Sequence, residues 1–321
     1  MSQVGGQAGL SCVLAVDGVD VICVAVGESP SVLDDAVLAW GLAGDFSSAF
    51  AEVNGTTLHY VAGGQGEPLL LLPGWPVTWR EFRHVMPLLA ERYRVIAVDL
   101  RGMNLSGKPA GGYDKKTMAR DIFELVRHLG YSTANVAGHD IGSMVAFSYA
   151  VNHPEAISKL AIMEVGHPDS SLYDLKLLPY DGAPNLWWFP LNQIHGLPEQ
   201  LLAGRMRFVV DHVFDTHLVD RSKVDVQDRL AYARAYDNAE AIRAGNGWFQ
   251  AFDQDVADFK AYDKVTVPML GLASPANFAG VQQTWQQVGT DVRVAMIDGT
   301  GHFLPIEQPE AVARALTDFF G

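Results

Sequence analysis

The pentapeptide Gly138-His139-Asp140-Ile141-Gly142 ends a short apolar run and leads into the helical pattern "SMVAFSYA". Small residues on both sides of a potential nucleophile describe a strand, a sharp bend and a helix. The bend is so tight that only small residues fit beside it, and it lifts the central side chain clear of the sheet. Here that side chain is the carboxyl of Asp140. The backbone N–H of Ile141, at the start of the helix, can then face an oxyanion or the attacking carboxylate. Taken alone, the same five residues also fit a surface turn in which Asp140 caps the helix. Two more residues favour chemistry: Glu164 ends the next strand, "KLAIME", and His302 lies in "GTGHFLP" between a late strand and the last helix. Nucleophile, acid and base in this chain order are what such an elbow serves, whereas one histidine among 10 carries little weight by itself.

The elements around these residues follow a regular rhythm. From Phe46, β-type runs alternate with helical patterns, which predicts a mostly parallel sheet with helices on both faces. "TTLHYVA", "PLLLLPG" and "YRVIAVDL" read as strands, "TWREFRHVMPLLAER" as one amphipathic helix, and "KKTMARDIFELVRHLG" as a helix closed by Gly130. After about Pro168 the rhythm gives way to an aromatic- and proline-rich stretch with helical patterns to about Asp255, an inserted helical lid over residues 169–255. The rhythm resumes with "KVTVPMLGLA", a helix near "FAGVQQTWQQV", the strand "VRVAMIDG" and the last helix "PEAVARALTDFF", so residues 46–168 and 256–321 form the core. Residues 1–45 read as an extension, packed on the body or on a second subunit, with one or two strands in "SCVLAVDGVDVICVAV".

Composition narrows the partners. Across 321 residues the formal charge is −14, which argues against a nucleic acid or an anionic membrane. The two cysteines, Cys12 and Cys23, cannot supply a disulfide framework, and a reducing compartment fits them. The first basic residue is Arg80, so the start lacks the positive region of a secretion signal, and no later stretch is long and uncharged enough to cross a bilayer. The expectation is a cytoplasmic protein with a small-molecule substrate, no cofactor and no metal; a homodimer is allowed.

Over about residues 46 to 321 the chain resembles the α/β-hydrolase fold, in the branch of epoxide hydrolases and haloalkane and haloacetate dehalogenases. The resemblance rests on "LLPGWPVTWREF", "VDLRGMNLSGKP", "GHDIG", "MEVGHP" and "GHFLPIEQPE". It implies an aspartate nucleophile at Asp140 and an oxyanion hole made by the N–H groups of Ile141 and Trp75. The family's His-Gly-x-Pro loop places the second donor at Trp75, with Trp75-Pro76 a candidate cis bond, although Pro73 stands where the family has its histidine. The family's acid follows either the strand after the elbow or the next one. At the later place "GLASPANFAG" has no carboxylate, which selects Glu164, with Asp169 and Asp181 as weaker substitutes. A carboxylate can displace at a saturated carbon and leave an ester that water, activated by His302, can hydrolyse. The substrate should therefore carry an electrophilic sp³ carbon.

Epoxide hydrolases of this branch usually place two tyrosines, or a histidine and a tyrosine, over the epoxide oxygen. At the first of these positions this chain has Trp187 and Trp188, and at the second Phe249 preceded by Trp248. An indole N–H is a donor but a poor acid; Tyr180, Tyr232 and Tyr236 are reserve donors. With Phe189 and Phe252 these aromatics favour a bulky apolar, even polycyclic aromatic, substrate of natural-product biosynthesis. Indoles also bind halide, which keeps a dehalogenase as the second reading. Dehalogenases resembling this chain, however, carry a tryptophan or an arginine directly after the nucleophile, where Ile141 stands here. A third reading, motivated by Pro73 and Phe249, is a non-hydrolytic protein on the same fold that binds a ligand or rearranges it. The leading reading is an epoxide hydrolase.

Overall fold

The computed structural model describes residues 10–14, 21–25, 34–175 and 185–321. Tyr180 and Asp181 lie outside the described residues.

Strands β1 (Leu10–Leu14) and β2 (Val21–Ala25) form an antiparallel pair, so the N-terminal alternation gives two strands. Then come α1 (Asp35–Trp40), β3 (Ser47–Val53), β4 (Thr56–Gly63), β5 (Glu67–Leu72), α2 (Met86–Leu89), β6 (Tyr93–Val98), α3 (Lys115–His128), β7 (Ala134–His139), α4 (Ile141–Asn152) and β8 (Ile157–Met163). Six helices intervene: α5 (Trp188–Gln193), α6 (Leu197–Leu202), α7 (Met206–His217), α8 (Val226–Tyr236), α9 (Ala239–Gln250) and α10 (Phe252–Phe259). The chain ends with β9 (Met269–Ala273), α11 (Phe278–Val288), β10 (Val292–Met296), α12 (Leu304–Glu307) and α13 (Pro309–Phe320).

Strands β3 to β10 form one eight-stranded sheet in the order β10-β9-β8-β7-β5-β6-β4-β3. Strands β5 to β10 run parallel, and β4 is antiparallel to both neighbours. This architecture follows from strands apolar on both faces. Leu70 and Leu72 of β5 pack with Ile122 and Leu125 of α3 and Val145 of α4, while Leu69 and Leu71 pack with Met86 and Leu89 of α2 and Leu316 of α13. All four leucines are fully buried, each contributing about 1.5–3 kcal/mol relative to exposure.

One expected element is corrected. The helix read over "TWREFRHVMPLLAER" is two short pieces, a 3-10 turn at Trp79–Phe82 and α2. Pro87 explains the break, because its ring would clash with the carbonyl four residues earlier and it offers no N–H.

The helices between β8 and β9 are tied to the loops that follow β5 and β6. Lys115 Nζ donates to Asp255 Oδ2 at 2.8 Å and to the Trp248 carbonyl at 2.7 Å, joining α3 to α9 and α10. Arg80 and Arg83, after β5, both pair with Asp228 of α8. The N-terminal α1 packs on the body: Ala39 is fully buried in the second core layer, and Asp35 accepts from Trp79 Nε1 and Asn104 Nδ2. Among the described residues, no helix is long and apolar enough to cross a membrane.

Candidate active site

Asp140 sits between β7 and α4 with φ 49° and ψ −121°, a conformation that costs an L residue on the order of 1–3 kcal/mol. Its neighbours have no room for side chains. A Cβ on Gly138 would lie 2.2 Å from the Gly142 carbonyl oxygen, and one on Gly142 1.9 Å from that of Leu72. The helix-capping alternative is overturned, since the Asp140 side chain makes no capping bond to α4. Its Oδ2 instead accepts the Trp75 N–H at 2.8 Å. Ile141 opens α4, so its N–H belongs to the first helical turn, whose amides lack partners within the helix.

Glu164 follows β8 and His302 lies in the loop after β10, both at the carboxyl ends of parallel strands, as is Asp140 after β7. His302 Nδ1 lies 3.3 Å from Glu164 Oε2, leaving Nε2 to face a water or substrate. Glu164 also accepts the Ser274 N–H and Asn277 Nδ2, both at 2.6 Å. Burial would push its carboxyl up, but the His302 hydrogen bond and charge, with the Ser274 bond, outweigh this and hold it below the ordinary value. It stays ionised well into acid. The segment "GLASPANFAG", read as lacking an acid, thus supplies two donors that fix the acid of the preceding strand. Asp169 is elsewhere, capping the turn at Ser170–Asp174.

The Trp75–Pro76 peptide is cis, and the loop that carries Trp75 has a support that sequence reasoning missed. Glu81 Oε2 accepts the Gly74 N–H at 3.3 Å, and its Oε1 lies 2.6 Å from His139 Nδ1 as an ion pair, both side chains fully buried. His139 Nε2 in turn donates to the His302 carbonyl at 2.7 Å. One buried pair therefore joins the Trp75 loop, the elbow and the His302 loop, with Pro73 in place of the family's histidine. Burial alone would lower the His139 pKa, yet the charge and hydrogen bonding of Glu81, aided by Asp140 and Glu164, raise it to about 9.

That shift sets a pH-dependent test. The ordinary histidine value is 6.5 and the folded one about 9, so the pair's contribution is complete below pH 6.5, declines above it and is gone above about pH 9. Glu81→Gln, which leaves a buried histidine without its partner, should cost about 3–5 kcal/mol at pH 6. Its deficit against the wild type should shrink toward zero at pH 10 in urea unfolding. A deficit independent of pH would show that the pair is not ionised.

The helical insertion covers this cluster with aromatic rings. Trp188 stacks on Trp75 with centroids 6.4 Å apart, and Phe249 meets Trp75 edge-on at 5.8 Å. Phe189 packs on both Phe249 and Phe252, and Trp187 stands edge-on to Trp188. Trp248 corrects the expectation of a substrate contact: it is fully buried, and its indole N–H donates to the Arg101 carbonyl at 2.8 Å. One reserve donor is occupied: Tyr236 Oη donates to the Val77 carbonyl. Tyr232 is wholly buried against Phe214, its hydroxyl without a hydrogen-bond partner among the described residues.

Glu307 stands in "GHFLPIEQPE", five residues after His302. Its carboxylate accepts the N–H groups of Gly301 and Val219 at 2.7 Å and of Asp220 at 3.2 Å, and the His302 N–H donates to the His217 carbonyl at 3.0 Å. The exit of α7 is thereby stitched to the loop that carries His302.

The sequence pattern of the α/β hydrolase fold family matches residues 67–309. The chain is 32% identical over 281 residues to a soluble epoxide hydrolase of Corynebacterium sp. (strain C12), covering 84% of this chain and 96% of the relative. It is 28% identical over 289 residues to a fluoroacetate dehalogenase of Burkholderia sp, covering 85% and 93%. The crystal structure of Cfl2 from Burkholderia cenocepacia superposes with a TM-score of 0.80 at 32% identity, covering 87% of this chain and 96% of the other. With an eight-stranded, mostly parallel sheet, a strained elbow between β7 and α4, and this similarity along most of its length, the chain belongs to the α/β-hydrolase fold family.

Proposed function

We propose that the protein is an epoxide hydrolase that works through an ester on Asp140. The observation that carries this reading is the carboxylate itself. It occupies a strained elbow where no capping bond explains it, one oxygen held by the Trp75 N–H and the other without a partner among the described residues. The similarity to a soluble epoxide hydrolase supports the substrate class.

In this mechanism the free carboxylate oxygen attacks an epoxide carbon and the ring C–O bond breaks toward oxygen. Water then attacks the ester carbonyl while His302 Nε2, its ring oriented through Nδ1 by Glu164, takes the proton. The N–H groups of Trp75 and Ile141 hold the charge on the tetrahedral oxygen. Collapse releases the diol and restores the carboxylate. The aromatic roof of Trp188, Phe249, Phe189 and Trp187 favours a bulky apolar or polycyclic aromatic epoxide, the kind of intermediate formed when an aromatic natural product is tailored.

Repeated turnover of an aryl epoxide in heavy-oxygen water should place label in the peptide containing Asp140, because each cycle replaces one carboxylate oxygen. Diol formation without that label would overturn the covalent route. A second reading, dehalogenation, has the similarity to a fluoroacetate dehalogenase in its favour. Halide release from organic halides with no diol from any epoxide would select it.

A further inference from the structure

An epoxide oxygen leaves as an alkoxide and needs a proton, but the roof has lost its usual acids: Phe249 has no donor, and the Trp188 indole is a poor acid. His217, the last residue of α7, stands beside this gap. Its ring is edge-on to Trp188 with centroids 5.1 Å apart, and 6.3 Å from the ring of His302. Trp188 in turn stacks on Trp75, whose N–H holds the nucleophile.

The ring's orientation is set on the other side. Nδ1 lies 2.9 Å from the Val213 carbonyl and 2.8 Å from Thr216 Oγ1, which itself donates to the His212 carbonyl. A carbonyl only accepts, so Nδ1 carries a proton and Nε2 is the exchangeable nitrogen, with no partner among the described residues. Its own carbonyl accepts the His302 N–H, and the N–H groups of Val219 and Asp220 just beyond donate to Glu307. His217 is therefore a half-buried imidazole with one anchored nitrogen and one free, beside the rings of Trp188 and His302.

We infer that His217 is the catalytic acid of ring opening. Resting on the epoxide hydrolase reading above, the step runs as follows. As Asp140 bonds to carbon and the C–O bond breaks, the electron pair goes to the ring oxygen, which takes the proton from Nε2 of the His217 imidazolium. Water's two protons balance the cycle: one passes through His302 to the second diol oxygen, and the other returns to His217 through solvent. Burial first, then His302 and His212, hold His217 below the ordinary histidine value, while the charge of Asp140 opposes them. Ring opening should accordingly quicken toward acid.

The step can be isolated in a His302→Gln background, where the ester forms but water is not activated. Styrene oxide is mixed with the variant, and adduct on the Asp140 peptide is followed by mass spectrometry with time. His217→Phe in that background is expected to slow adduct formation at least about tenfold at pH 6, as loss of a general acid does, and to flatten the rise in rate between pH 8 and pH 5.5. Trp188→Phe, which keeps a ring but deletes the indole N–H, is expected to keep the rise in rate toward acid, whatever it does to the rate itself. Equal rates with and without His217, or a flat pH profile in Trp188→Phe, would overturn the assignment. No adduct at all from His302→Gln, with His217 intact, would bring down the parent reading and the assignment with it.

Discussion

Asp140→Asn should lower kcat on an aryl epoxide by at least about 10³-fold while the protein stays folded, since loss of a nucleophile in a catalytic triad costs far more than loss of a positioning contact. The substitution is a narrow one. Asparagine tolerates positive φ about as well as aspartate, and its carbonyl oxygen can still accept the Trp75 N–H that now reaches Oδ2. Removed are the charge and the nucleophilicity of the other oxygen, which has no partner among the described residues. The packing that fixes the bend, Gly138 against Gly142 and Gly142 against the Leu72 carbonyl, does not involve the carboxylate and should survive. Thermal unfolding within a few degrees of the wild type, together with the kinetic loss, is the expected pair of results. A variant that keeps a tenth of the wild-type activity would remove Asp140 from the chemistry.

His302→Gln is expected to separate the two halves of the cycle. The first half needs the carboxylate, which this change does not touch; the second needs a base for water, which glutamine cannot supply. One equivalent of diol-forming ester should accumulate, with a mass increase equal to that of the intact epoxide, and steady turnover should fall on the order of 10²–10⁴-fold. The geometry supports so clean a separation because His302 is held mainly through its backbone. Its N–H reaches the His217 carbonyl, its carbonyl accepts from His139 Nε2, and Glu307 holds the neighbouring Gly301 N–H. A glutamine at 302 keeps all three. Turnover falling without any adduct would mean that no ester forms, and would overturn the covalent route.

The two results rest on features of unequal visibility. Asp140, Glu164 and His302 are legible in the chain because an elbow, a strand end and a loop before the last helix are local patterns, and the parallel sheet must bring its carboxyl ends to one edge. The side chains that hold these three are not legible in this way. Glu81 and His139 are 58 positions apart, Ser274 and Asn277 lie 110 and 113 residues beyond Glu164, and each bond forms only because adjacent strands deliver their loops to one place. A buried polar group must find a partner, but nothing in the types or spacing of these residues names which.

The helices between β8 and β9 show the same division within a single turn. Trp248 and Phe249 are neighbours in an apolar segment, and successive residues of a helix point about 100° apart. One meets Trp75 and the other the Arg101 carbonyl. The rotation of α9 decides it, and that rotation is set by Lys115 at the Trp248 carbonyl and by the Trp248 N–H at the Arg101 carbonyl.

By itself the sequence determined the class of sheet, the elbow, the placement of Asp140, Glu164 and His302 at strand ends, and the departure of Pro73, because each is written in local spacing or in runs of apolar residues. Only the tertiary structure decided that Glu81 and His139 brace the loop beside Pro73, that Phe249 rather than Trp248 meets Trp75, and that His217 stands beside Trp188 and His302. The physical reason is that these are meetings between loops and helices far apart in the chain, settled by how rigid layers dock and not by any preference of the residues themselves.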